Sequence, residues 1–202
     1  ASEGLREVLL ELGGKNPAVI FADADLPAAI RATARAAFTN TGQVCLCMER
    51  VYVERPVFDA VVAGVAEAAK KLRLGLPDDP TTDLGPVISR KHQKRVMGYI
   101  ERAIAEGAKV HAVGSIPRFG DRRDHGAFVA PTVLTGLPET AEFNCEEVFG
   151  PVVHLAPFDT EEEAVKLAND SPFGLAAMTW TKDLSRAHRV SSRINAGIRW
   201  EN

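Results

Sequence analysis

The feature that most limits what this chain can fold into is its alternation of two hydrophobic periods. Short apolar runs at Pro17 to Phe21, Arg50 to Glu54, Val152 to Phe158, Leu175 to Trp180 and Gly197 to Trp200 read as strands. Helical patterns lie between them. Asp25 is an N-cap candidate, and Pro27 suits the first turn of the Ala-rich helix that runs to about Asn40. Pro56 opens a helix in which Phe58, Val61, Val62, Val65, Ala68, Ala69 and Leu72 share a face. Ser89 begins another, with Val96, Ile100 and Ile104 on one side, ending near Gly107. Thr160 caps a helix to Asn169, with Glu161, Glu162 and Glu163 in its first turn, and a last helix spans Asp183 to Arg193. Strands alternating with helices of roughly 10–15 residues imply βαβ units. The expected fold is α/β, a mainly parallel sheet with helices on both faces, in one domain. Three further segments are expected to be extended. Val8 to Leu12 reads as a buried strand turned by Gly13-Gly14 into the next, and Lys109 to Val113 as a short strand. Phe128 to Leu134 reads as extended, although Pro131 argues against a central strand there.

Composition removes several function classes. The 202 residues carry 24 Lys and Arg against 27 Asp and Glu, a net charge of −3. That balance, without a long basic run, argues against a strong electrostatic nucleic-acid binder. With 46% hydrophobic and 25% charged residues the chain can bury enough surface to fold. It holds no uninterrupted apolar stretch long enough for a membrane span. Cys45, Cys47 and Cys145 are too few and too closely spaced for a disulfide scaffold. The residues from Ala1 to Arg6 have no basic region followed by an apolar core, so no signal peptide is read. The expected compartment is reducing, the cytoplasm.

Three segments carry chemistry. Thr41-Gly42-Gln43-Val44-Cys45-Leu46-Cys47 links a helix to a strand, where functional groups concentrate. A cysteine there is a nucleophile only as its thiolate. No other Cys or His stands at metal-ligand spacing, and the pair lacks the Cys-x-x-Cys redox arrangement. Taken alone, a buried inert cysteine is the simpler reading. Glu11-Leu12-Gly13-Gly14-Lys15 places a carboxyl before a Gly-Gly turn that lets backbone approach another group closely. Such a carboxyl is a candidate general base, a solvated residue at a strand end being the plainer alternative. In Glu146-Glu147-Val148-Phe149-Gly150-Pro151 a Glu can accept hydrogen bonds from sugar hydroxyls and the Phe ring can stack on a planar ligand. A loop-anchoring Phe fits that segment equally well. No Gly-x-Gly-x-x-Gly occurs, so a complete dinucleotide fold is not indicated.

Together, and in this order, Leu10-Glu11-Leu12-Gly13-Gly14-Lys15-Asn16-Pro17, Gly42-Gln43-Val44-Cys45 and Glu146-Glu147-Val148-Phe149-Gly150-Pro151 resemble the aldehyde dehydrogenase superfamily over essentially the whole chain. The segments Gly42 to Arg50 and Asn169 to Asn195 look most like the branch acting on 2-hydroxymuconic or 2-aminomuconic semialdehyde. The resemblance implies oxidation of a small aldehyde to a carboxylic acid through a cysteine thiohemiacetal and thioester, with NAD, or NADP, as coenzyme. It implies Cys45 as nucleophile, Cys47 as bystander and Glu11 as the base that activates the deacylating water. It places Glu147 at the nicotinamide ribose, Phe149 near the nicotinamide and His92 at another ribose contact. It also implies a homo-oligomer in the full-length enzyme, with no nucleic-acid or membrane partner and no metal.

Departures from the family pattern shape the expectation. The family's coenzyme-binding domain and its upstream oxyanion-binding Asn lie before the Glu11 motif, and the family continues past Trp200-Glu201-Asn202. Glu201 stands where a small apolar residue is usual. Residues 1–202 are therefore expected to be the catalytic domain of a longer enzyme, inactive when isolated, with exposed apolar surface that favours self-association. Two other readings stay open: a catalytically silent domain kept for subunit or partner contacts, and an acylating relative that passes its thioester to coenzyme A. Retention of Cys45 and Glu11 favours the dehydrogenase.

Overall fold

The computed structural model describes residues 3–114, 116 and 118–202. Seven strands form one sheet: β1 (Asn16–Ile20), β2 (Met48–Glu54), β3 (Lys109–Val113), β4 (Thr132–Thr135), β5 (Val152–Phe158), β6 (Ala176–Trp180) and β7 (Ile198–Glu201). Their order is β3-β4-β5-β2-β1-β6-β7. Every neighbouring pair is parallel except β3 with β4. The helices are α1 (Leu26–Phe38), α2 (Phe58–Lys71), α3 (Arg90–Ala105), α4 (Glu142–Cys145), α5 (Glu161–Asn169) and α6 (Leu184–Ser191).

The strand period of two sorts side chains between two layers. Ala18 and Ile20 of β1, Val51 and Val53 of β2, and Val153 and Leu155 of β5 face a core closed by α1 and α2. Their alternates Val19, Tyr52 and Phe158 face the opposite layer, where Ala164, Val165 and Ala168 of α5 and Val190 of α6 cover them. Further along that layer, Val96, Ile100 and Ala103 of α3 pack with Leu134, Phe143 and Val152. The central strands are buried on both faces, so they read as continuous apolar runs.

The capping residues act as the sequence implies. The side chains of Asp25, Ser89, Thr160 and Asp183 accept hydrogen bonds from the backbone N–H groups of Ala28, His92, Glu163 and Arg186. Three expectations are corrected. Val8 to Leu12 is not a buried strand: Val8, Leu9, Leu10 and Leu12 are exposed and belong to no sheet. An apolar run becomes a strand only where it finds an edge to pair with, and among the described residues none pairs with this one. Ile104 is exposed, and Tyr99 and Ala103 complete the buried face of α3 instead. The segment containing Pro131 does enter the sheet interior, but β4 starts only at Thr132, after the residue that lacks an N–H.

One irregularity bears on the site. Across β1 and β2, Asn16 pairs with Met48 and Pro17 with Arg50, so Glu49 is an extra residue with no partner on β1. Such a bulge re-aims the side chain it carries. Elsewhere the buried polar groups are mostly paired. His154 on β5 is one example, its Nε2 accepting the Leu137 N–H at 3.1 Å. That bond requires a neutral ring, and burial pulls the imidazole pKa down to about 4.

Between pH 6.5 and about 4 the unfolded chain therefore takes up a proton at His154 that the folded chain refuses. This contribution to stability is intact above pH 6.5 and is lost as pH falls through that window. Urea denaturation at pH 7 and pH 5 should show His154→Gln, which keeps an acceptor but does not titrate, losing about 2 kcal/mol less stability than the parent over that interval. Parallel losses in the two proteins would show that His154 does not drive the dependence.

Candidate active site

The three chemistry-bearing segments each lead directly into a strand, and those strands, β5, β2 and β1, are parallel neighbours. Their entering loops are consequently side by side at the amino ends of the strands. After α1, Asn40, Thr41 and Gly42 all adopt left-handed backbone, with φ of 51°, 58° and 73°. For the two non-glycine residues this costs about 1–3 kcal/mol each. A Cβ on Gly42 would lie 1.8 Å from the Gly150 carbonyl oxygen, so only glycine allows this loop to rest on the Gly150-Pro151 backbone. Side chains secure it further: Thr41 Oγ1 donates to the Gly85 carbonyl at 3.0 Å, and Gln43 Oε1 accepts the Ile88 N–H at 2.9 Å.

The loop then makes a turn closed by the Cys47 N–H on the Val44 carbonyl at 2.9 Å. Cys45 is half-buried at its tip, and its own N–H has no acceptor among the described residues. Asn16 Nδ2 donates to the carbonyls of Cys45 at 2.7 Å and Cys47 at 2.8 Å. Asn16 Oδ1 accepts the Ala176 N–H at 3.0 Å, tying the turn to β6. Gly14 passes close beneath: a Cβ there would lie 2.7 Å from the Cys45 carbonyl oxygen. The two cysteines differ sharply. Cys47 is buried, its thiol against the Thr39 carbonyl at 3.8 Å, and that burial pushes the thiol up to about 12 against the opposing Val44 contact.

Around the turn, Gly14 N–H donates to Glu147 Oε1 at 2.9 Å, and Gly13, at φ 76°, leaves room for Oε2. Burial raises the Glu147 carboxyl above the usual carboxylate range, with the Gly14 N–H opposing. Arg95 donates to the Glu147 carbonyl at 3.0 Å. Phe149 is another non-glycine residue in the left-handed region, φ 58°. Its carbonyl accepts from His92 Nε2 at 2.7 Å, which places the ring proton on Nε2 because a carbonyl can only accept. The two rings meet edge to face at 6.2 Å.

Beneath these groups is a buried ion pair. Lys15 Nζ contacts Glu49 Oε2, and the same carboxylate accepts the Val148 N–H at 3.1 Å and the Phe149 N–H at 2.9 Å. Burial pulls the Lys15 pKa down, more than Glu49 holds it up. Removing one partner of such a pair costs about 3–5 kcal/mol. Glu49 and its neighbour Arg50 escape sequence reasoning, since a charged residue in a strand reads as a solvated one.

The structure thus brings together the Cys45 turn, Glu147, Phe149 and His92. It does not bring Glu11 into that cluster. Glu11 is exposed, its carboxylate has no hydrogen-bond or ion-pair partner among the described residues, and Cys45 does not line its cleft. That cleft, of about 560 Å³, runs between Leu10–Gly13 and Pro172–Leu175. Cys145 is exposed, its thiol on the Glu139 carbonyl. Among the described residues no group of three or more His, Cys, Asp or Glu side chains is placed to hold a metal ion, and no helix is long and apolar enough to cross a membrane.

A mainly parallel α/β sheet with a half-buried cysteine turn at the amino ends of its central strands defines a class. The chain belongs to the aldehyde dehydrogenase family, whose model matches residues 1–202. It is 52% identical over its whole length to a 2-aminomuconic 6-semialdehyde dehydrogenase of a Pseudomonas species, covering 41% of that protein. It is 50% identical to a 2-hydroxymuconic semialdehyde dehydrogenase of Pseudomonas putida, covering 42% of it. Among solved structures it resembles betaine aldehyde dehydrogenase from Staphylococcus aureus in complex with NAD+, with TM-score 0.93 and 38% identity over 99% of this chain and 40% of that one. The chain thus spans about two fifths of the length of these relatives.

The burial difference predicts selective labelling. With iodoacetamide at pH 8, peptide mass spectrometry should find Cys47 alkylated at least about a hundredfold more slowly than Cys45, because a thiol at about 12 is almost wholly protonated there. Comparable rates would contradict the burial assigned to Cys47.

Proposed function

We propose that residues 1–202 are the catalytic domain of an NAD(P)-dependent aldehyde dehydrogenase that oxidises an aldehyde, of the muconic semialdehyde class, to its acid. Cys45 is the nucleophile and Glu11 the base. The observation that carries this reading is the contrast within one turn: a half-buried Cys45 beside a free amide, and a Cys47 held inert by burial. The substrate class follows the two Pseudomonas relatives.

The residues present fit the ribose end of a nicotinamide dinucleotide. Glu147 Oε1 is fixed by the Gly14 N–H, while Oε2 has no hydrogen-bond donor among the described residues and is free to accept from a sugar hydroxyl. Phe149 and His92 are half-buried beside it. Such a coenzyme, when bound, supplies the hydride acceptor for the oxidation. The rest belongs to the chain. The Cys45 thiolate adds to the aldehyde carbonyl, and the oxyanion formed accepts from the Cys45 N–H, which has no acceptor among the described residues. Once the carbon is oxidised to the thioester, Glu11 removes a proton from water, whose oxygen adds to the carbonyl. Collapse expels the Cys45 thiolate and leaves the acid. Glu11 stands on an exposed segment that belongs to no strand or helix.

The intact protein is read as a cytoplasmic homo-oligomer. What supports assembly is the exposed edge strand β7 with Ile198 and Trp200, and the exposed leucines 5, 9, 10 and 12.

In the intact protein Glu11→Gln should slow thioester hydrolysis by roughly 10²–10⁴-fold while the pre-steady-state burst of NADH persists. Rapid-mixing absorbance separates the two phases. Loss of the burst would mean that Glu11 acts before the thioester forms.

A further inference from the structure

Glu49 stands out because nothing in the chemistry above requires it. It is the unpaired bulge residue of β2, so its side chain leaves the strand's regular alternation. It is buried, and it spans three partners from two other segments: Lys15 of the turn before β1, and the N–H groups of Val148 and Phe149 before β5. Those two amides follow Glu147 directly, and the second belongs to the residue forced into left-handed backbone. Lys15 in turn follows Gly14, whose N–H holds the Glu147 carboxylate. One buried carboxylate therefore fixes both the backbone that presents Glu147 and Phe149 and the turn that orients Glu147.

We propose that Glu49, through its pairing with Lys15 and its two amide contacts, is a positioning residue for coenzyme binding, holding the Glu147–Phe149 turn in the conformation that meets the ribose. The inference rests on the reading that Glu147 faces the coenzyme. A neutral amide at residue 49 keeps the length of the side chain but presents an NH2 group where one backbone N–H needs an acceptor. The turn then relaxes from its left-handed conformation, while the Cys45 turn, anchored by Asn16, Thr41 and Gln43, keeps its own contacts.

The test uses the intact protein and NAD+ itself as probe. Glu49→Gln should raise the dissociation constant for NAD+, measured by calorimetry without substrate, by about tenfold. The alkylation rate of Cys45 in the absence of coenzyme should stay within about twofold of the parent, a split that general loosening of the fold would not give. Glu147→Gln is the control for the underlying reading. If Glu147→Gln weakens NAD+ binding and a folded Glu49→Gln does not, the positioning role is overturned. If Glu147→Gln leaves binding unchanged, the placing of Glu147 at the coenzyme fails, and this inference with it. Should Glu49→Gln not fold, the double variant Lys15→Met/Glu49→Gln removes the stranded buried cation and is read by the same criteria. Failure of both to fold would assign the pair to the fold alone and overturn the proposal.

Discussion

The structure depends on how polar backbone and charge are satisfied where the three central strands begin. In a parallel sheet, neighbouring strands enter from the same end, so their leading loops crowd together away from water. Buried N–H and C=O groups there need partners. Residues at the start of β1 and β2 supply them. Asn16 holds two carbonyls of the cysteine turn and one amide of β6. Glu49 takes two amides before β5. Arg50 donates from Nε to the Lys15 carbonyl at 2.9 Å and reaches the Leu167 and Ala168 carbonyls at the end of α5, each at 3.0 Å. A cation at a helix C-terminus is favoured by the exposed carbonyls and the dipole together. β2 thus organises the site on one side and docks a helix on the other.

This placement differs from the usual rule for open α/β sheets, in which ligands sit beyond the carboxyl ends of the strands. The carboxyl-end rule reflects helix N-termini that bind anions. The candidate site is built of a thiol, a carboxylate and aromatic rings, and no helix N-terminus carries its thiol or its carboxylate. What they need is close approach of backbone to backbone, which the glycines at 13, 14 and 42 allow.

Much of the fold was legible because its signals are local. Caps at Asp25, Ser89, Thr160 and Asp183, and strands such as Val152–Phe158, depend on residues within one turn or one run. Val8 to Leu12 departs from its apolar pattern because hydrophobicity announces a buried strand without saying what it pairs with. For the candidate site, what the sequence made legible is which segments to look at. Cys45, Glu147, Phe149 and His92 stand in recognisable segments, and the structure draws those segments together. Glu49 was not legible, because its role comes from a bulge that only the register against β1 reveals. Nor is the position of Glu11 relative to Cys45 legible, since the residues carrying Glu11 form no strand whose register would fix it.

The strained residues complete the argument. Asn40, Thr41 and Phe149 each hold an unfavourable left-handed conformation, and Gly42 next to the first two rests on Gly150 next to the third. Each strained segment is therefore held by a surface that includes the other, as well as by Glu49, Thr41 and Gln43 contacts. Strain persists only where the surroundings over-determine it. The Gly42–Gly150 contact thus seats the Cys45 turn against the Glu147–Phe149 turn, while each keeps anchors of its own: Asn16, Thr41 and Gln43 for the first, Glu49 for the second. Loosening one turn therefore costs the contact between them without releasing the other from its own hydrogen bonds.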